Sequence, residues 1–306
     1  MNTTAYPYFD FGSSAELRRP ILGFVVADPE EPCTPSWGGY FTLQEAATEL
    51  RLDQQITQLR NSGQDVVVSF GGAAEDELST ACEDSAALYD AYRTVIDRYE
   101  LDTVDFDVEM DDLGDREANQ RRAEAVLRLQ EDRPKNDPLR VWATLPVGPQ
   151  GLDEDSQDVV AQLLNGGVEL AGVNLMIMNF GENASGRGQM VETSVTAARS
   201  AQSQIKELYA HAGQELSDDL VWNRMGLTPM IGQNDIRENV VDQSAAEELN
   251  RFAREQGVGR LSFWSLNRDR SCGSEQRDLR EATDLCSGIQ QQPGDFTEVL
   301  SQGFEE

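Results

Sequence analysis

The chain has 306 residues and carries 55 Asp and Glu against 25 Lys and Arg, a formal charge of −30, with a single histidine, His211. Only Lys135 and Lys206 are lysines and neither stands in a Gly-Lys-Ser/Thr sequence, which excludes a P-loop; one histidine excludes multi-histidine zinc sites, and so negative a field repels nucleic acid and anionic lipid. With 39 % hydrophobic and 26 % charged residues the composition is that of a folded protein, so the imbalance lies in the sign of the charges and not in their number.

Eight short β-type runs punctuate the chain, at residues 6–11, 21–27, 66–70, 104–108, 141–145, 173–178, 226–230 and 261–266. Helical signals lie between them. Thr42 followed by Glu45 is a capping box opening a helix over 46–59, and Ser244 with Glu247 repeats the pattern. Residues 85–99 and 115–129 carry apolar side chains at helical spacing, with Leu88, Tyr92, Val95, Ile96 and Tyr99 on one stripe. Residues 133–138 form a Pro-bracketed turn. Strands alternating with helices predict a parallel sheet, and eight of them in this length predict an α/β fold, a (β/α)8 TIM barrel forming one domain over 1–306. Residues 1–7 are then an N-terminal extension and 290–306 a tail or helix; an open doubly wound sheet is the alternative. The sequons Asn2-Thr3-Thr4 and Asn183-Ala184-Ser185 are too common by chance to weigh.

No apolar run reaches the length of a membrane span, and nothing after Met1 reads as a charged segment followed by an apolar one, so neither a span nor a signal peptide is expected in the sequence as given. Cys33, Cys82, Cys272 and Cys286 allow three pairings, without a Cys-x-x-Cys. The short loop between Cys272 and Cys286 favours that pair and leaves Cys33 with Cys82, which implies an oxidising, extracellular setting; four free thiols are the alternative. Carboxylates in this excess repel one another at low salt, whereas in molar salt the screening length falls to about 3 Å. The charge therefore predicts a protein that works in high salt, against the alternative of an acidic protein from an ordinary setting.

The informative stretch is Asp102-Thr103-Val104-Asp105-Phe106-Asp107-Val108-Glu109. Side chains alternate across a strand, so Val104, Phe106 and Val108 share one face while Asp105, Asp107 and Glu109 share the other. In a barrel the acidic face points inward and rises toward the C-terminal mouth, where active sites lie. Neighbouring carboxylates push their pKa values apart, which keeps one protonated and able to act as a general acid. A solvated acidic strand fits poorly with the wholly apolar opposite face. A cation site is the second reading, but an EF-hand fails, because counting from Asp105 puts Met110 where glycine is needed and Arg116 where the bidentate Glu is needed. Paired carboxylates for glycoside hydrolysis fit best, with no metal and no cofactor.

The pattern Asp102-x-x-Asp105-x-Asp107-x-Glu109 resembles the signature of family 18 glycoside hydrolases, the chitinases. Ser69-Phe70-Gly71-Gly72 is similar to the family's Ser-x-Gly-Gly element. Residues 23–27, Cys33-Thr34-Pro35-Ser36-Trp37-Gly38-Gly39, 145–147, 173–176, 228–232 and 262–266 resemble secreted bacterial and archaeal chitinases, so that the likeness runs from about residue 8 to residue 290. The resemblance implies a secreted enzyme of high-salt, haloarchaeal type hydrolysing chitin or chito-oligosaccharides through the substrate's own acetamido group. Glu109 is then the acid, Asp107 holds the acetamido N–H, Asp105 shares a proton with Asp107, and Asp102, on the other parity, is structural. Trp264 becomes the floor of the sugar site, with Trp37 extending the cleft, Met176 and Met178 lining the barrel, and Ser69, Gly71 and Gly72 packing beneath the acids. Relatives of this type read Met-Asp-Tyr-Gly where this chain has Met178-Asn179-Phe180-Gly181. Phe180 thus lacks a hydroxyl donor, and Asn179 lacks a charge. The chain is expected to be monomeric, with chitin-binding modules outside it. The alternatives are a chitin-binding lectin on the same barrel, which Phe180 favours and Glu109 opposes, an endo-β-N-acetylglucosaminidase, and a metal-dependent hydrolase.

Overall fold

The computed structural model describes residues 1–12, 19–184, 188–274, 276 and 278–304; Ser185 of the second sequon lies outside them. The chain forms two compact units, Met1–Thr144 with Asp158–Ala171, and Leu145–Gln157 with Gly172–Glu306.

In the first unit β1 (Ile21–Ala27) carries an antiparallel hairpin, β2 (Pro35–Trp37) and β3 (Phe41–Thr42), on one edge. On its other edge it pairs in parallel with β4 (Val67–Gly71), which pairs with β5 (Thr103–Asp107), which pairs with β6 (Arg140–Pro146). Residues 6–11 form no strand. Phe11 is buried and its N–H donates to the Gln55 side chain at 2.8 Å, so a side chain satisfies the backbone there in place of a ladder.

The capping box at Thr42 and Glu45 starts α1 (Leu43–Glu49), but the single helix expected over 46–59 is two. Arg51 takes a left-handed conformation with φ 52°, which no continuous right-handed ladder passes through, and α2 (Leu52–Asn61) begins after it. The next helices are α3 (Leu78–Ala81), α4 (Ser85–Arg98), α5 (Asp111–Gly114) and α6 (Arg116–Glu131). Asp84 and Asp115 cap α4 and α6 by accepting backbone N–H groups of the first turn. The expected stripe Leu88, Tyr92, Val95, Ile96 and Tyr99 is buried. Tyr92 meets Phe70 of β4 and Phe106 of β5 with ring centroids 5.1 and 5.3 Å apart, so the apolar face of β5 turns toward helix α4.

Three elements have residues in both units: β6, α7 (Glu154–Asn165) and β7 (Leu170–Met176). In the second unit β7 pairs in parallel with β8 (Met225–Thr228), while β9 (Gly232–Gln233) and β10 (Val240–Val241) form a separate antiparallel pair. β11 (Arg260–Leu261) pairs in parallel with β8 and is shorter than the expected run at 261–266. Its line continues irregularly, since Ser262 N–H donates to Leu227 O and Trp264 N–H to Pro229 O, each at 2.9 Å. Helix α8 (Gln189–His211) ends on the exposed His211, and α9 (Asp218–Asn223) follows. Helix α10 (Gln243–Gln256) starts before Ser244, because the Asp242 carboxylate accepts both the Ala245 N–H (2.9 Å) and the Ser244 hydroxyl (2.7 Å) and is the stronger cap. Helix α11 (Asp295–Ser301) lies in the expected tail. Among the described residues no helix is long and apolar enough to cross a membrane. Disulfides join Cys33 to Cys82 and Cys272 to Cys286, the pairing favoured by loop length.

Candidate active site

β5 places Asp105 and Asp107 on the face opposite Phe106, and all three are buried. Both Asp105 oxygens are occupied: Oδ2 accepts the Ser69 hydroxyl at 2.7 Å and Oδ1 the Thr144 hydroxyl at 2.8 Å. The register explains this, since Ser69 on β4 lies opposite Asp105, and Thr144 on β6 opposite Asp107. Asp107 is in the contrary state. Its Oδ1 is buried without a hydrogen-bond partner, and burial first, then the charges of Glu109 and Asp105, raise its pKa well above the ordinary value of 3.8. A carboxyl raised in this way keeps its proton to higher pH than an ordinary aspartate does.

Glu109 lies beyond the end of β5 and is only partly buried. The Val108 N–H still donates to Thr144 O at 3.0 Å, so the chain holds its line to the residue before Glu109. Met110 then turns it away with φ 52° and ψ −127°, and 69 % of its surface is exposed.

Gly71 and Gly72 fit under this strand as no other residue could. A Cβ on Gly71, at φ +94°, would stand 2.2 Å from the Asp107 carbonyl oxygen, and one on Gly72 would stand 2.8 Å from the Phe24 ring. The Gly72 N–H donates to Asp107 O at 2.8 Å. Asp102 is elsewhere, bonded to Thr103 and ion-paired with Arg19 and with Arg140 (2.9 Å). Burial pushes its carboxyl upward, but the Thr103 hydroxyl and the two arginines outweigh that and hold it below the usual range. Trp37 is a correction. It lies in β2 with no exposed surface, donates its indole N–H to the Tyr99 hydroxyl at 2.9 Å and meets that ring edge-on, so it belongs to the core and extends no cleft.

In the second unit Trp264 is half-buried just past β11, and its carbonyl accepts the Ile231 N–H at 2.9 Å. Met176 and Phe180 are buried, Met178 is half-buried and Asn179 is exposed. Asn179 has φ 55°, a conformation that asparagine tolerates well. Its amide donates to Asp235 Oδ2 at 2.7 Å, its oxygen accepts the Asp235 N–H at 3.0 Å, and its own N–H donates to Asn234 Oδ1. An aspartate at 179 would set two carboxylates against each other. Asn239 ties the same segment, exchanging hydrogen bonds with Gly181 N and O at 2.9 Å. Sequence reasoning missed Thr144 and the Asn234-Asp235-Asn239 group; the parity of the 141–145 run carried a signal for Thr144, whereas the loop contacts left none. Among the described residues no three His, Cys, Asp or Glu side chains converge in a way that could hold a metal ion.

No protein-family model matches the chain. It is 32 % identical over 255 residues, 81 % of its length, to a probable bifunctional chitinase/lysozyme of Escherichia coli K12, and 31 % identical over 256 residues to endochitinase 11 of Metarhizium anisopliae, again 81 % of its length. It spans only 28 % and 47 % of those two proteins. In fold it is similar to the catalytic domain of the hyperthermophilic chitinase from Pyrococcus furiosus, with a TM-score of 0.84 and 25 % identity, covering 100 % of this chain and 93 % of that one. Catalytic-site mutants of the active domain 2 of that organism's thermostable chitinase, complexed with chito-oligosaccharides, give a TM-score of 0.83 at 24 % identity, with the same coverage. The fold is therefore the (β/α)8 barrel of those catalytic domains. In sequence over 81 % of its length and in fold over all of it, the chain is related to chitinases and, through them, to the glycoside hydrolases.

Proposed function

We propose that the chain is the catalytic part of a secreted family 18 chitinase that hydrolyses β-1,4-linked N-acetylglucosamine polymers in high salt by substrate-assisted retention. The observation that carries this reading is the pairing of Asp107, buried, unpartnered and raised in pKa, with Glu109 two residues on at the exit of the same strand. Glu109 protonates the leaving glycosidic oxygen. The acetamido oxygen of the same sugar attacks the anomeric carbon, the bond to the leaving sugar breaks, and an oxazolinium ion forms. Asp107 passes its proton to Asp105, which Ser69 and Thr144 hold, and as the carboxylate so formed accepts the acetamido N–H and balances the positive charge; the proton returns when the ion is opened. Water activated by Glu109 then opens the ring with net retention. Trp264 offers an indole face to the apolar side of a sugar. The two disulfides suit an extracellular protein, and the charge of −30 suits molar salt.

Hydrolysis of chitopentaose followed by NMR tests the reading. The first reducing end to form is expected as the β-anomer, and Glu109→Gln is expected to slow turnover by roughly 10²–10⁴-fold. An α-anomer, or full activity in Glu109→Gln, overturns it. Chitin binding without turnover in the wild type decides for a lectin, the reading that Phe180, with no hydroxyl, favours.

A further inference from the structure

Behind the turn that follows Glu109 lies a buried charged network. Glu77 and Arg122 form an ion pair at 3.0 Å in which neither side chain is exposed. The other Glu77 oxygen accepts the Tyr92 hydroxyl at 2.6 Å, and Arg122 donates to Asn119 Oδ1 at 2.5 Å. Removing either ion-pair partner strands a charge in the core, so the pair locks Glu77, on the segment after β4, to helix α6.

Two hydrogen bonds carry that lock to the acid. The Glu77 N–H donates to Asp112 Oδ2 at 3.0 Å, and the Asp112 N–H donates to the Glu109 carbonyl at 3.1 Å. Asn119 holds the far side of α5, donating to Leu113 O at 2.9 Å. The residues from Glu109 to Asp112 form a tight turn whose second residue, Met110, has a backbone conformation that glycine prefers, with φ 52° and ψ −127°. A non-glycine residue stays there only where its surroundings over-determine it, and in this chain the surroundings are the Asp112 carboxylate and the ion pair behind it. The Met110 side chain, largely exposed, does not hold the turn by packing.

We propose that Asp112, anchored through Glu77 to Arg122, is the positioning residue for Glu109, setting the turn that aims the acid at the leaving oxygen. The proposal rests on the glycosidase reading, and its test separates the two. A residue that positions the acid matters where the leaving group needs a proton. Chito-oligosaccharides leave as sugar alkoxides and need one, whereas aryl chito-oligosaccharides leave as stabilised phenolates and scarcely do. Asp112→Ala is expected to lower kcat at least 10-fold on chitotetraose with little change in KM, yet less than 3-fold on the nitrophenyl chitobioside. Asp112→Asn, which keeps an acceptor for the Glu77 N–H, is expected to restore most of the loss. Asn119→Ala, on a helix that accommodates alanine, shows the same leaving-group dependence with a smaller loss and serves if Asp112→Ala does not fold. Equal losses on both substrates, or none, in a wild type that cleaves both overturn the positioning role alone. A wild type that cleaves neither overturns the glycosidase reading, and the proposal with it.

Discussion

Asp107→Asn removes one ionisable group with almost no change of shape, and its effect on stability follows from where that group sits. The carboxyl is buried, one oxygen is unpartnered, and its pKa is raised above 3.8 in the fold. In the unfolded chain the proton leaves near the ordinary carboxylate value, while in the folded protein it stays to higher pH. Between those two points the folded state holds more protons than the unfolded state, so stability falls as pH rises through that window. The slope approaches about 1.4 kcal/mol per pH unit, and a chain of this size gains roughly 2 °C in Tm per kcal/mol. The asparagine variant, which has no proton to lose, is expected to match the wild type in Tm near pH 3.5 and to lead it increasingly from about pH 5 upward, by about 2–3 °C for each pH unit until the folded-state pKa is passed. Thermal unfolding followed by circular dichroism at fixed salt, from pH 3.5 to 9, measures this. A Tm difference that is constant across the range, or an asparagine variant that is the less stable at pH 8, refutes the account of Asp107 as a buried acid whose pKa the fold raises. The same variant is expected to lose chitin turnover, so that one substitution gains stability and costs activity.

Further outcomes follow from the same geometry. Trp37→Phe is expected to cost about 1–3 kcal/mol of stability by stranding the Tyr99 hydroxyl, whose pKa burial pushes up to about 12, while leaving KM for chito-oligosaccharides unchanged; a raised KM with unchanged stability would return Trp37 to the cleft. Ser69→Ala takes one of the two hydroxyl donors from Asp105 and is expected to lower kcat more than it raises KM in steady-state assays. Reduction of the Cys33–Cys82 bridge, which closes a separation of 49 residues, is expected to cost about 4 kcal/mol in the chain-entropy picture, against about 3 for Cys272–Cys286 with a separation of 14, as read by urea unfolding of the single-bridge variants. The Tm is expected to climb steeply between salt-free buffer and molar KCl, and equal values in the two would remove the case for high-salt adaptation.

Much of the molecule is legible in its sequence, for reasons that differ by feature. Parity alone separates Phe106 from Asp105 and Asp107, because a strand has a period of two whatever surrounds it, and the rings of Tyr92 and Phe70 duly meet Phe106 on the apolar side. The strand at 21–27, the capping box at Thr42 and the helix after Asp84 are equally local, and the structure shows them where the residues call for them. Local rules fail where a distant partner settles the outcome. Phe11 lies in a run that reads as a strand, yet Gln55 takes its N–H; the stretch 46–59 has an unbroken helical composition, yet Arg51 breaks it.

What the sequence by itself determined is the chemistry on one strand, three carboxylates at alternate positions, together with four cysteines whose spacing favours one pairing. Only the tertiary structure decided that Asp105 has both oxygens filled while Asp107 has one left bare, that Trp37 is core, and that a buried ion pair at Glu77 and Arg122 stands behind the turn at Glu109. The division is physical. Alternation and loop length are properties of neighbours along the chain, whereas hydrogen-bond satisfaction and burial depend on which atoms meet across 15, 36 or 45 residues, as Tyr92 and Ser69 and Arg122 do with their carboxylates.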